Sequence, residues 1–365
     1  MHVRSLIITI ALPLLPWGTW DVNRTVNRPC GWAGSGGDDM SAPQILAHDY
    51  GVREADLTRL CNGRIITGTL PTSDKYELTL IGMIKLDAPA SQFARYADEP
   101  ERVLATGHLG VLGQIDLSDP GLSLRSYPIL ADDIREVPSC EIGRCDVKLP
   151  QEVIVELSRI DPSAIRFDHE VEVVIKQWLY QYLSSYRNEG DTALVVYADK
   201  NPPQSLRDGL VRLMADAQVL GYRAPRLHGY VSGIGGRLPD GAREGVIWSV
   251  ERFGMRPLTT VTHAIVYRDV SADHGDVWVA MKLLYASHYL HASFRLMRVV
   301  EDRSAAEPAS YLVSVERLLF DGKVRGVIRA IAERRLRSHL AERLEAIRDS
   351  IREHGALMAD RSRGQ

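Results

Sequence analysis

Between residues 75 and 86, apolar or small residues fall at every second position: Tyr76, Leu78, Leu80, Gly82, Ile84 and Leu86. That spacing places them on one face of a β-strand. Asp87-Ala88-Pro89 breaks the pattern, and Phe93 and Tyr96 then follow at helical spacing, as expected just after a proline at a helix start. Beyond residue 245 the pattern predicts five further strands over 246–251, 260–268, 277–284, 290–300 and 311–319. Turn formers separate them, with Asp269, Ser271, Asp273, His274 and Gly275 in one gap and Asp302, Ser304 and Pro308 in another. Strands joined this closely are expected to be antiparallel neighbours.

Apolar residues at three- and four-residue intervals predict helices over 150–160 and 169–186, the second carried by Val171, Val174, Ile175, Trp178, Leu179 and Tyr182. Gly190 supplies a stop. A short strand over 192–197, a helix over 204–220 and a glycine-rich loop over 229–241 follow, while 118–149 is rich in Pro, Asp, Ser and Gly and reads as loop. The chain closes with a predicted helix over 323–354, where Val324, Ile328, Ile331, Leu340, Leu344, Ile347 and Ile351 form a lengthwise apolar stripe. The fold class is therefore α+β, a curved antiparallel sheet packed on a long C-terminal helix with a mostly helical insertion. Its expected divisions are a signal peptide (1–20), a linker (21–46), a first sheet segment (47–119), the insertion (120–244), a second segment with the terminal helix (245–355) and a flexible tail (356–365).

Apolar residues make up 45% and charged residues 25% of the 365, enough to bury a sizeable core. A formal net charge of −3 argues against a nucleic-acid partner, whose binding rests on neutralising many phosphates. The cations are 37 Arg and 7 Lys, a bias that carries no function by itself. Arg4 precedes the apolar run from Ser5 to Leu15, and no charge follows before Asp21, which predicts an export signal. A spanning helix needs about 20 apolar residues. The run is shorter and broken by Pro13 and Pro16, so a periplasmic or secreted protein is expected, with an uncleaved anchor as the alternative. Four cysteines form an even set, and the near pair Cys140 and Cys145 is expected to close a small disulfide loop around Gly143. The pairing of Cys30 and Cys61 stays open. Paired C-x2-C knuckles are absent, so neither a structural metal nor a cofactor is expected.

The strand ending in Asp87-Ala88-Pro89, the short helix with Phe93, the run of antiparallel strands and the long amphipathic terminal helix together resemble the START-like, or helix-grip, superfamily of lipid-transfer and polyketide-cyclase proteins. The likeness covers roughly 64–115 and 245–355. It implies a sheet wrapped around the C-terminal helix with an apolar cavity between them. A closer likeness joins Cys140-x4-Cys145-Asp146-Val147-Lys148-Leu149-Pro150 and Tyr285-Ala286-Ser287-His288-Tyr289 to bacterial secreted proteins of uncharacterised function, and it brings no activity with it.

Polar residues set within apolar strands concentrate at His263, Lys282, Tyr285, His288, Tyr289 and His291. On a regular strand Lys282 and His288 share parity with Trp278, whereas Tyr285, Tyr289 and His291 point the other way, so His288 and His291 do not converge on a metal. The candidate ligand-binding set is Lys282, His288, Tyr285, His263 and Trp278, placed at the wall of an apolar pocket to hold the polar head of a lipid, isoprenoid or polyketide-like molecule. Each histidine also has a plain structural reading as a satisfied core or surface residue. A cyclase- or hydrolase-like enzyme using the same cavity is one alternative, and an envelope interaction module docking through the insertion is another. No G-x-S-x-G elbow supports serine catalysis, and the glycines near Gly233 lack the lysine of a phosphate-binding loop. Between residues 317 and 353 ten Lys or Arg face six Asp or Glu, a shape that suits transient contact with a membrane surface. A helix filling the concavity of the sheet explains the same residues.

Overall fold

The computed structural model describes residues 40–104, 109–233, 236–252, 256–268, 275–322 and 326–363. The expected signal segment and Cys30 lie outside the described residues. The described chain opens on two helices, α1 (Ala42–Tyr50) and α2 (Glu54–Cys61), where a linker to residue 46 is expected from composition. Gln44 accepts the Ser41 N–H at 2.7 Å and so fixes the start of α1. Strands β1 (Ile66–Leu70) and β2 (Glu77–Leu86), helices α3 (Ala90–Tyr96) and α4 (Pro100–Leu104), and strand β3 (Leu109–Ile115) follow. The chain then makes an excursion through α5 (Pro120–Ser123), α6 (Ala131–Glu136), α7 (Gln151–Leu157), α8 (Phe167–Glu189), β4 (Val196–Tyr197), β5 (Gln204–Ser205), α9 (Leu206–Ala215), α10 (Gln218–Arg223) and α11 (Pro225–Val231). It returns in β6 (Ala242–Glu251), β7 (Leu258–Arg268), β8 (Val277–Ala286), β9 (Leu290–Glu301) and β10 (Ser310–Phe320), and ends in α12 (Gly326–Arg363).

Eight strands form one open antiparallel sheet in the order β1-β2-β10-β9-β8-β7-β6-β3. The α+β reading therefore holds, with differences of detail. The strand expected over 192–197 keeps two residues, because Gly190–Ala193 winds into a 3₁₀ turn. The helix expected over 204–220 divides into α9 and α10 on either side of Asp216 and Ala217. The loop expected over 118–149 contains α5 and α6, and α12 runs on to Arg363 through most of the expected tail.

The sheet has two covered faces. On one, Leu336, Leu340, Leu344, Ile347 and Ile351 of α12 pack with Phe93 of α3 against Leu80, Ile84, Val279, Met297 and Leu312. Gly82 permits this approach: a Cβ there would lie 2.8 Å from both Leu340 Cγ and Leu344 Cδ1. The hollow expected between helix and sheet amounts to about 40 Å³. That is room for a few waters, each needing roughly 10–15 Å³ of such space, rather than the room a lipid requires. Its wall holds Arg295, Glu316 and Arg343. Arg295 Nε lies 2.9 Å from Glu316 Oε1, and Arg343 pairs with the same oxygen. Burial alone would raise the Glu316 carboxyl, but the two guanidiniums outweigh it and hold it below the usual carboxylate range.

The opposite face carries the excursion over β6 to β9 and the α1–α2 pair over β2 and β10. A β-bulge corrects the expected strand parity. Val261 pairs with Tyr285 and Thr262 with Leu283, so Leu284 is the extra residue and Tyr285 returns to the face of Lys282. Trp278, Lys282 and Tyr285 thus all point toward the excursion.

Candidate functional site

The five candidate residues separate along the seam between sheet and excursion. His263 and Lys282 are cross-strand partners on β7 and β8. Lys282 pairs with Asp191, which follows α8, and its ammonium sits 5.4 Å from the centre of the Tyr186 ring. His263 bridges two partners, with Tyr186 Oη 2.8 Å from Nδ1 and Glu244 Oε2 3.0 Å from Nε2. A neutral imidazole satisfies both, accepting from the phenol and donating to the carboxylate. Burial pushes His263 below the ordinary histidine value, and its hydrogen bond to Glu244 in turn lowers that carboxyl. Tyr285 lies in the middle of the core, 5.4 Å from Trp178 and 6.3 Å from Tyr197 by ring centres.

His288 is buried in the turn after β8, where Tyr289 adopts a φ of +60°. Its Nδ1 lies 2.7 Å from the Asp146 carbonyl and its Nε2 2.8 Å from Asp133 of α6. Trp278 stands apart from these, under the guanidinium of Arg298 at 4.9 Å. Only His263 and Lys282 are therefore brought together, and none of the five lines the 40 Å³ cavity or either groove described next. His291 turns to the Ser205 carbonyl at 2.7 Å, whereas His288 turns to Asp146 and Asp133. Among the described residues no group of three or more His, Cys, Asp or Glu is arranged to hold a metal ion.

A groove with mixed apolar and polar lining lies on this same face, in the gap between the α1–α2 pair and the α9–α10 junction. Its floor is the sheet: alternate residues of β2, β10 and β9 contribute Thr79 and Ile81, Val315 and Arg317, and Phe294 and Leu296. Leu70, Pro71 and Thr72 form one rim and Asp216 to Val219 the other, enclosing about 540 Å³. A second groove of about 420 Å³, lined by Val52, Ile65, Ile66 and Met83 among others, shares Tyr50, Leu70 and Ile81 with the first. The two adjoin along these residues, and the first is termed the furrow.

Charge enters the furrow at one side. Arg317 donates through Nε and Nη2 to Glu77 Oε1 at 2.8 and 2.6 Å, and through Nη2 to Asp216 Oδ2 at 2.7 Å. Glu77 is buried with it, whereas the Asp216 side chain is 67% exposed, so one of the two partners of the guanidinium is a rim group open to solvent. Asp49, at the end of α1, sits among Arg223, Arg298 and His48. Burial acts to raise its carboxyl, but hydrogen bonds from these three hold it far below the usual range. Burial pushes the neighbouring Tyr50 phenol well up. Sequence alternation marks the floor segments as strand, and close spacing makes β9 and β10 neighbours, but neither says that β2 lies beside β10, and the furrow depends on that adjacency.

The Cys140–Cys145 disulfide is formed, as expected, and fits an oxidising extracellular location. Among the described residues no helix is long and apolar enough to cross a membrane. Compared with protein-family models and with curated proteins, the chain gives no match.

Proposed function

We propose that this chain is a START-like binder of an apolar small molecule with an anionic end, working outside the cytoplasm after export, and that its ligand lies in the furrow on the sheet face opposite α12. The carrying observation is the 540 Å³ groove with an apolar floor and a guanidinium at its edge. Ligand pockets are of this size, mostly apolar, with a few placed polar groups that fix orientation. Strand order and the helix laid across the sheet support the START-like reading, while the small volume under α12 favours the furrow over the helix–sheet interior as the ligand's place. An anionic head exchanging with Asp216 on Arg317 would gain a charge-assisted pair, with Glu77 keeping the other side of the guanidinium satisfied. The ligand class is lipid, isoprenoid or polyketide-like.

Native mass spectrometry with solvent extraction of the purified chain, followed by titration with a fluorescent fatty acid, tests this reading. Ile81→Trp, which fills the floor opposite its cross-strand partner Val315, is expected to abolish uptake. Asp216→Ala is expected to tighten it by freeing the guanidinium. A chain that neither retains nor accepts an apolar anion, or an Ile81→Trp variant that binds as well as the parent, would sink the proposal.

A further inference from the structure

The strap 140–150 and the segment 196–201, distant in sequence, lie side by side. Gly143 N–H donates to the Ala198 carbonyl at 2.7 Å, Cys145 N–H to Asp199 at 3.0 Å, and Ala198 N–H to Leu149 at 2.9 Å. Gly143 has φ +81°, and a Cβ there would fall 2.2 Å from Asn201 Nδ2, so glycine is what lets the strap close down. The strap also touches the turn after β8, since Lys148 N–H donates to the Ser287 carbonyl at 2.8 Å.

This framing seals the Lys148 side chain inside, 1% exposed. Its Nζ lies 3.6 Å from Asp199 Oδ1, itself on a side chain 2% exposed, and 3.5 Å from Asp321 Oδ2. The ring of Tyr197 is centred 4.3 Å from the same nitrogen. Lys200 sits 2.7 Å from Asp321 Oδ2 and balances that charge. Neither Lys148 Nζ nor Asp199 Oδ1 makes a hydrogen bond of ordinary length. A buried ion pair offsets its desolvation only by closing to direct hydrogen bonds, and this one stands open. A nitrogen poised beside a carboxyl group, a second carboxylate within reach of that nitrogen, and an aromatic wall excluding water are the elements of amide condensation rather than of a stable salt bridge.

We propose that the side chains of Lys148 and Asp199 become joined by an intramolecular amide bond, formed by the folded protein without another enzyme. A proton first passes from the ammonium to the Asp199 carboxylate. Burial favours the resulting neutral pair, pushing Lys148 below and Asp199 above their ordinary values. The Nζ lone pair then attacks Cγ of Asp199 and the C–N bond forms. Asp321 takes a proton from the nitrogen and delivers it to the departing hydroxyl, the C–O bond breaks, and water leaves. Ammonium and carboxylate have become amide and water, with no oxidant, reductant or activated donor needed. The product pins the strap to the 196–201 segment by a bond that, unlike the neighbouring disulfide, no thiol reverses.

Peptide mapping of the purified, folded chain decides the matter. After reduction, alkylation and trypsin digestion, an acylated Lys148 resists cleavage, so peptide 145–159 is expected to appear attached to peptide 188–200, at the sum of the two masses less one water. Asp321→Asn, which removes the proton carrier but keeps both reactants, is expected to release the two peptides separately. Recovery of free peptides 145–148 and 149–159 from the parent chain would overturn the proposal without any variant having to fold. A link persisting in Asp321→Asn would overturn the role given to that residue.

Discussion

The two faces of the sheet are built from the same strands and differ in kind. Against α12 the contact is largely apolar, carries the Arg295–Glu316–Arg343 triad, and Gly82 lets helix and sheet approach closely. Against the excursion and the α1–α2 pair the contact mixes buried tyrosines and histidines with charges, and leaves an open furrow between the two covers. The two covers meet where Arg223 of α10 pairs with Asp49 of α1 and part beyond it, leaving strand surface open between them. In the proposed reading, shape selectivity toward a ligand therefore falls to the divided face.

Substitutions that act on one face only put that contrast to the test. The largest effect is expected from Glu316→Ala, which strands Arg295 and Arg343 beneath α12 without their carboxylate. Breaking a buried pair from one side costs about 3 to 5 kcal/mol. Chemical denaturation should register a fall of that order, and a change within experimental error would mean that the triad is hydrated.

Acid is expected to act next, and through the other face. Burial holds His263, among Glu244, Lys282, Asp191 and Tyr186, and His291, near Lys148, Arg212 and Asp321, below the ordinary value of 6.5. Unfolding restores that value, so the unfolded chain binds protons that the folded chain resists. The stability these residues contribute is complete above pH 6.5 and declines as pH falls through 6.5 toward their lowered folded values. Melting curves across this window should slope downward toward acid. His263→Gln should flatten the slope, and an unchanged slope would place the titration elsewhere. The smallest effect is expected from Ile81→Trp in the furrow, where added bulk meets open space. Its stability should stay within about 1 kcal/mol of the parent, as for substitutions away from packed cores.

What could be read from the sequence follows from what is periodic. Alternation in 75–86 and in the five late segments located six strands to within a few residues, because one face of each is committed to the apolar core. The Leu284 bulge was not legible: an extra residue within an apolar run leaves no mark on hydropathy, yet it moves Tyr285 to the side of Lys282. Helices α1 and α2 were lost for another reason, their polar faces resembling linker composition next to the glycines before residue 40. Arginine bias by itself said nothing. In the fold Arg298, Arg317 and Arg343 are buried, and Arg295 partly buried, against carboxylates from other segments, and such pairings depend on topology that no local window contains.

One topological detail bears on how such a molecule can be reshaped. The chain leaves the sheet at the end of β3 and re-enters on β6, and these two strands are hydrogen-bonded neighbours, with Ile115 facing Val246. Everything in between is, for the sheet, a greatly enlarged hairpin tip. Splicing in a tight turn there would preserve strand order and the seat of α12, and would lay Trp278, Lys282 and Tyr285 bare. A minimal scaffold cut this way would have to be repainted with polar side chains along that surface before it could stay monomeric in water.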